Sequence, residues 1–434
     1  MADRAERAEA AGVPVGAPVD AAPGAPVGVA FVGTGYVADL YRATLPNHPG
    51  LALTGVYDRS ARRCGEFADH YGDTRYPSLA ALLADPAVEI VVNLVNPREH
   101  AGVTRAALAA GKHVYSEKPL AMDLAEAREL AESARAAGLL LASAPCSMIG
   151  EAAQTAWQAL RAGAVGTPLL AYAELDDGYL LAEHYTEWRS RSGAPWPYRD
   201  EFRTGCTIEH AAYALDWLTM FFGPVTEVTA FAAGVAPNPH LTAEEHARAP
   251  DFSVACLRFA GDGAGDSGGV AGDGGGTGAG GVVARMTNSI VAPEQHRIQI
   301  VGDEGVLVVD NVWDYTSPVT VRRGRKGRPE PYPPARRPAH TMDRIGANHM
   351  DFARGVAELA GEVRGRRPSR LRTDHALHVL EVTLTVARAT GGAVTRPTTT
   401  FAPLTPMPWA AGTPPFPRPA DPPEALRTPS HTTE

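Results

Sequence analysis

Apolar residues in the first third of the chain fall into short continuous runs rather than strict alternation. Val27–Val32, Ile90–Val95 and Leu139–Ala144 are almost wholly apolar, Ala52–Tyr57 is nearly so, and His113–Ser116 is a shorter run of the same kind. Between them, apolar positions recur at helical spacing: a stretch ending near Leu45, then Ala61–Tyr71, Leu79–Ala84, 98–110 and 123–137. Strands apolar on both faces, alternating with amphipathic helices, predict an α/β domain over residues 28–148, a doubly wound parallel sheet covered on both sides.

From residue 149 the texture changes. A helix over 151–163 precedes a strand at Pro168–Leu175, and a long helix over 207–222 stops at Gly223-Pro224. Strands follow at 225–233, 252–259, 282–291, 296–301 and 305–309, and two helices close the region at 343–364 and 372–390. Consecutive strands with helices grouped before and after predict an α+β domain over 149–401, with a large, mostly antiparallel open sheet.

Four segments break the pattern. Residues 1–27 are small residues and prolines without an apolar face, which predicts a disordered extension and lacks the apolar stretch of a secretory signal. Residues 261–281 hold twelve glycines between two strands, a disordered insertion in a hairpin. A phosphate cradle there would need a following helix to aim amides at an anion, and none follows. The basic, proline-broken run 322–340 reads as a solvated loop rather than a nucleic-acid patch, and residues 402–434, with ten prolines, as an extended tail.

Composition narrows the class. The chain has 434 residues, 44% hydrophobic and 21% charged, with a net charge of −9; the apolar content and average charge exclude a wholly disordered chain, the net charge decides nothing about partners, and no nucleic-acid partner is expected. No run of eighteen apolar residues exists to span a membrane. Four dispersed cysteines without a C-x-x-C pair argue against zinc or a disulfide scaffold and fit a reducing cytoplasm. Only Lys112, Lys118 and Lys326 are lysine, against 37 arginines. Arginine cannot lose its proton in a protein, whereas lysine can, so each remaining lysine raises the question whether an ammonium is needed there, with chance survival as the default reading.

Two constellations carry chemistry. Gly33-Thr34-Gly35-Tyr36-Val37-Ala38 joins the first strand to a helix: the first glycine permits the tight turn, the second admits a pyrophosphate, Ala38 allows close helix packing, and the helix N-terminus favours an anion. Asp58, at the end of the second strand, stands where an acid binds the ribose of a dinucleotide. Asp58 favours NAD; Arg59, Arg62 and Arg63 next to it admit NADP. The second is Ser116-Glu117-Lys118-Pro119 at a strand's carboxyl end, where ligands bind in such sheets, although Glu-Lys-Pro alone also suits a surface turn.

The runs VGVAFVGTGYVA, NLVNPREH and AGKHVYSEKPLAM resemble the Gfo/Idh/MocA family of NAD(P)-dependent oxidoreductases over roughly residues 28–400. The resemblance implies a Rossmann domain at the N-terminus. It places Lys118 beside the nicotinamide and the reacting hydroxyl, with Glu117 holding the lysine or the carboxamide region. A positively charged nicotinamide would push the lysine's pKa down. Asn96 and His100 fall in the nicotinamide-side loop, where many members have Thr-Pro-Asn and this chain has Val95-Asn96-Pro97; His100 also suits a helix start satisfied by backbone. The family's D-x-G-x-H-x-x-D helix reads Glu209-His210-Ala211-Ala212-Tyr213-Ala214-Leu215-Asp216 here, so Glu209 replaces the aspartate and Tyr213 the histidine. Members resembling glucose–fructose oxidoreductase use tyrosine there as the acid–base group, which pairs Tyr213 with Lys118 and leaves a core-packed tyrosine as the alternative. His210 ranks below Tyr213 as a substrate contact. Trp196, Tyr198, Glu201 and Arg203, in a Pro-rich loop before that helix, suit a polyhydroxylated ligand or serve as loop anchors.

These features imply hydride transfer between NAD(P) and a carbinol carbon of a sugar, cyclitol or similar metabolite, in a homo-oligomer (dimer or tetramer). Redox-neutral cleavage of a glycosidic bond through bound NAD, and a non-catalytic dinucleotide sensor, are the alternatives.

Overall fold

A computed structural model describes residues 24–260, 281–324, 326–338, 343–345 and 348–412. The first half runs β1 (Val27–Val32), α1 (Tyr36–Thr44), β2 (Leu51–Tyr57), α2 (Ala61–Tyr71), α3 (Leu79–Ala84), β3 (Ile90–Asn93), α4 (His100–Ala109), β4 (His113–Ser116), α5 (Leu124–Ala136) and β5 (Leu141–Ser143). All neighbouring strands pair parallel in the order β2-β1-β3-β4-β5. The chain order reverses beside β1, and that crevice at the carboxyl edge is where such sheets bind ligands. Local chemistry sets the helix ends. Ser60 accepts the Arg63 amide at the start of α2, Gly72 closes it at φ 73°, and Asp123 caps α5.

The second half runs α6 (Glu151–Arg161), β6 (Pro168–Asp176), α7 (Tyr198–Thr204), α8 (Cys206–Phe222), β7 (Val225–Ala233), α9 (Ala243–Arg248), β8 (Phe252–Phe259), β9 (Val283–Ser289), β10 (Ile298–Gly302), β11 (Gly305–Val309), β12 (Val319–Arg323), β13 (Pro329–Pro331), β14 (Asp343–Ile345), β15 (Asn348–Met350), α10 (Ala353–Val363), α11 (Thr373–Ala387) and β16 (Thr390–Thr395). Nine strands form one sheet in the order β13-β12-β11-β10-β6-β9-β8-β7-β16, antiparallel except for the parallel β6–β9 pair. The expected open, mostly antiparallel sheet is therefore mixed at its centre. One face covers α8, which is buried along nearly its whole length; the other carries exposed Leu170, Phe231 and Val394.

Three expectations need correction. The helix expected from 343 starts only at Ala353, after the short β14–β15 pair. The basic run 322–340 is not all loop, because Thr320–Arg322 pair with Pro329–Pro331 as an added edge. The tail expected to be extended from 402 is packed as far as the described residues reach. Leu404, Met407 and Ala410 are buried, and the Met407 amide donates to Gln154 Oε1 at 2.8 Å. The extension 1–23, the glycine run 261–280 and residues 413–434 lie outside the described residues.

The linear division at 148/149 also blurs in space. The helix α10 lies against α1 and β4, with Phe352 edge-on to Tyr41 at 5.5 Å and the Ala353 amide donating to Thr44 Oγ1 at 3.0 Å. One apolar cluster runs through both sheets, so the two halves share a core and hold the crevice between them in one geometry.

Candidate active site

The crevice begins at the β1–α1 turn. Gly33 has φ 101°, a conformation that L side chains rarely adopt, and a Cβ there would meet the Leu94 carbonyl at 2.6 Å. Gly35 starts α1 without a side-chain cap, and a Cβ there would meet nothing within 4 Å. The turn therefore presents bare main chain and a helix N-terminus to open space, a shape that fits a pyrophosphate. Asp58 is held in place beside it. Its Oδ2 accepts the Thr34 amide at 2.8 Å and the Thr34 hydroxyl at 3.1 Å, and its Oδ1 accepts the Ser60 amide at 2.7 Å.

The three arginines after Asp58 part company. Arg59 is 77% exposed and 3.6 Å from Glu99, and Arg62 pairs with Glu66 at 2.6 Å. Arg63 turns inward, donating to the Thr34 carbonyl at 3.0 Å and to Ser192 Oγ at 3.1 Å. Ser192 belongs to the loop between β6 and α7, and its amide and hydroxyl donate to Asp39 on α1 at 2.9 and 2.8 Å. The second half of the chain thus straps the glycine turn from above.

At the far end of the crevice, β4 delivers Glu117 and Lys118. Glu117 is buried; it accepts the Tyr41 hydroxyl at 2.6 Å and the Lys118 amide at 3.1 Å, so it braces the turn. Lys118 Nζ lies 2.6 Å from Glu209 Oε2 on α8, and Glu209 is 2% exposed. Burial pulls the lysine's pKa down, but Glu209 first, then Tyr213, Glu201 and Glu117, more than offset it and hold the ammonium well above the usual lysine range. The sequence-level expectation of a lowered lysine pKa thus meets an opposing carboxylate. Tyr213, one helical turn beyond Glu209, is also held up: burial dominates, and the Lys118 charge only partly opposes it.

A wall closes the site around Tyr213. Its ring packs 5.4 Å from Trp313, which stacks on His296 at 3.9 Å and meets His210 at 5.4 Å. Asp177 lies between the two imidazoles, 2.7 Å from His210 Nδ1 and 2.8 Å from His296 Nε2. Burial alone would raise its pKa, yet His210 and His296 bring it well below the carboxylate range. Neighbouring Asp176 is pushed up to about 6 by burial and by the nearby Glu174 and Asp177 carboxylates.

The remaining candidates serve the frame. His100 is buried with Nδ1 2.7 Å from the Pro119 carbonyl and Nε2 2.8 Å from that of Val95, so it ties two loops and shapes the site through backbone. Asn96 donates to Asp200, which fastens α7 over the β3 loop. Trp196 and Tyr198, both partly buried, pack with Tyr185 and Phe202 at a separate small core. Arg203 points to Glu245 at 3.1 Å on the surface. Sequence reasoning missed Asp177, His296, Trp313 and Ser192, which come from strand ends and loops without a motif. Among the described residues, no cluster of three or more His, Cys, Asp or Glu could hold a metal, and no helix is long and apolar enough to cross a membrane.

Comparisons with known proteins follow the same division. The family model described as the oxidoreductase family with an NAD-binding Rossmann fold, Gfo/Idh/MocA, matches residues 27–144, and that of the Gfo/Idh/MocA C-terminal domain matches 153–308. Together they cover more than half of the chain. Trans-1,2-dihydrobenzene-1,2-diol dehydrogenase of Mus musculus is 25% identical over 304 residues, 69% of this chain and 79% of the mouse protein. The 1,5-anhydro-D-fructose reductase of Ensifer adhaerens is 31% identical over 164 residues, 38% of this chain and 47% of that enzyme, so the match spans about half its length. Among solved structures, the aldose-aldose oxidoreductase of Caulobacter crescentus, complexed with glycerol, superposes with a TM-score of 0.66 at 20% identity, covering 86% of this chain and 99% of that one.

Proposed function

The chain belongs to the Gfo/Idh/MocA family of NAD-binding oxidoreductases, and on that premise we propose that it moves a hydride between a nicotinamide dinucleotide and a carbinol carbon of a sugar, cyclitol or related polyhydroxylated metabolite. The observation that carries this reading is the Lys118–Glu209 contact of 2.6 Å at the carboxyl edge of β4, with Tyr213 one turn along α8. Lysine and tyrosine are among the side chains that can carry an alcohol's proton in the transition state.

Gly33, Gly35 and the start of α1 (Tyr36, Val37, Ala38) hold the pyrophosphate, and Asp58 takes the adenosine ribose. The bound dinucleotide supplies the hydride acceptor or donor. Lys118 binds and polarises the substrate hydroxyl, Tyr213 passes its proton, and Glu209 keeps the ammonium aimed at it. Trp313 and His210 shape the wall against which a polyol lies. The named activities of the relatives, on a dihydrodiol, an anhydro-sugar and aldoses, support the substrate class.

NAD is the preferred cofactor in this reading. A 2′-phosphate would face the Asp58 carboxylate, while Arg63 is committed to Thr34 and Ser192 and Arg62 to Glu66. Redox-neutral bond cleavage is the second reading, favoured by the His210–Asp177 dyad, which places another acid–base group near Tyr213. We place the enzyme in the cytoplasm, as its four free cysteines suggest, and self-association on the outer face of the nine-stranded sheet, where Leu170 and Phe231 are exposed.

A panel of sugars and cyclitols incubated with the enzyme and NAD tests the proposal. NADH accumulating with one of them supports the dehydrogenase. Bond cleavage without net NADH supports the second reading, and absence of dinucleotide binding contradicts both.

A further inference from the structure

Oxidation of an alcohol releases a proton as well as a hydride. As the carbonyl forms, the C–H pair leaves to NAD(P)⁺ and the O–H proton must reach water. In this site Lys118 and Tyr213 receive that proton, and Tyr213 is buried. Lys118 is 15% exposed and Glu209 2% exposed, so neither opens freely to solvent.

Glu201, on α7, supplies the missing link. Glu209 uses Oε2 for Lys118, whereas its buried Oε1 has no donor among the described residues. Glu201 meets Glu209 side chain to side chain. Two carboxyl groups in contact can satisfy both oxygens only if one of them carries a proton, which then forms the hydrogen bond between them. Glu201, half-buried, is the more exposed member of the pair, against 2% for Glu209.

We propose that Glu201 and Glu209 hold a single proton between them and form the exit by which the substrate's hydroxyl proton leaves Lys118 for solvent. As Lys118 accepts a proton from the hydroxyl or from Tyr213, it gives one to Glu209 Oε2. The pair then holds two protons. With Glu209 neutral, the repulsion that kept Glu201 protonated is gone, and Glu201 releases its proton to water. The Glu209 proton then moves to Glu201, and the starting state returns. In the reducing direction the same path runs inward.

The charges around the pair support this order. Burial, and then the Glu209 charge, push the Glu201 carboxyl well above the carboxylate range, with Lys118 opposing and Glu117 adding. Lys118 also lines a small cavity with Asp216 and His375. Burial pushes the Asp216 carboxyl well above the usual carboxylate range, which makes it a weaker proton acceptor than Glu209, the residue Lys118 contacts. Glu201 therefore acts as a positioning and proton-exit residue rather than as a substrate contact.

The inference rests on the reading of the site as a hydroxyl oxidoreductase, and its tests separate the two. Infrared difference spectra of the NAD-loaded enzyme at neutral pH need no substrate. We expect a protonated-carboxyl stretch that disappears in Glu201→Gln and shifts in Glu209→Gln, where the hydrogen bond between two carboxyl groups is lost. With myo-inositol and D-glucose as probes, Glu201→Gln is expected to keep NAD affinity, lose turnover by about 10²-fold, as removal of an acid–base group does, and show a larger solvent deuterium isotope effect. Glu201→Ala should regain turnover with added formate, and this arm decides the matter if the glutamine variant does not fold. An unchanged infrared band together with wild-type turnover and isotope effect in Glu201→Gln would overturn the relay, as would failure of formate to rescue Glu201→Ala. Failure of every polyol to reduce bound NAD, with the infrared pattern as expected, would instead overturn the substrate reading and leave the shared proton standing.

Discussion

Burial pulls the Lys118 pKa down, yet Glu209 above all holds it well above the usual lysine range. That has a consequence for pH. In the oxidising direction the site must accept a proton, so turnover rises as pH climbs towards the lysine's raised value. Glu209→Gln removes both the group that takes the proton from Lys118 and the largest charge holding the ammonium, so turnover falls and the rising limb of the remaining kcat–pH profile moves to lower pH. A limb left at the wild-type pH would show that Glu209 does not act through Lys118. The family resemblance picked out Lys118, one of only three lysines, and its helix motif placed Glu209 and Tyr213, whose four-residue spacing puts them on one helix face. Trp196 and Tyr198 show the limit of such reading. Aromatic residues in a loop look alike whether they face a sugar or each other, and here Tyr185 and Phe202, distant or unremarkable in the chain, pack with them.

At the scale of elements, the strap between β6 and α7 distinguishes this crevice. Ser192 makes two hydrogen bonds to Asp39 and receives Arg63, which also holds the glycine turn. A dinucleotide held on the glycine turn would leave faster once those bonds are removed. Hydrogen bonds to charged groups contribute about 1.5–3 kcal/mol each, so the double variant Ser192→Ala, Asp39→Asn should release NAD about tenfold faster or more. Stopped-flow displacement of bound NADH measures this, and an unchanged rate would mean that the strap does not gate the site. No motif announces the strap, because the partners lie 129 and 153 residues apart in the chain. By contrast, α2, α3 and β4 coincide with their expected bounds, since there local periodicity and caps agree with the tertiary fold.

For the whole molecule, the shared core ties stability to groups far from the crevice. His375, between α8 and the segment carrying Phe401, accepts or donates at 2.8 Å to Thr219, and burial lowers its pKa to about 3. Because the folded value lies below the unfolded one of about 6.5, its contribution is present above that pH and is lost as pH falls towards 3. The melting temperature should therefore drop through that window, and less steeply in His375→Asn. The alternation of strand and helix made the N-terminal domain legible from sequence, whereas the mixed sheet was harder: the parallel β6–β9 pair joins strands over a hundred residues apart, and β16 is a short, wholly exposed edge without an apolar signature. The packed stretch 401–412 was hidden by its prolines, although Leu404 and Met407 supply the apolar contacts that dock it. The central claim is that Lys118 handles the substrate's proton in a dinucleotide-dependent oxidoreductase, and one measurement reaches it directly: single-turnover reduction of protein-bound NAD by a reactive polyol, in wild type and in Lys118→Met. The expected result is equal NAD binding, with the rate of NADH formation lower by about 10²–10⁴-fold in the variant; NADH forming at the wild-type rate in Lys118→Met would contradict it.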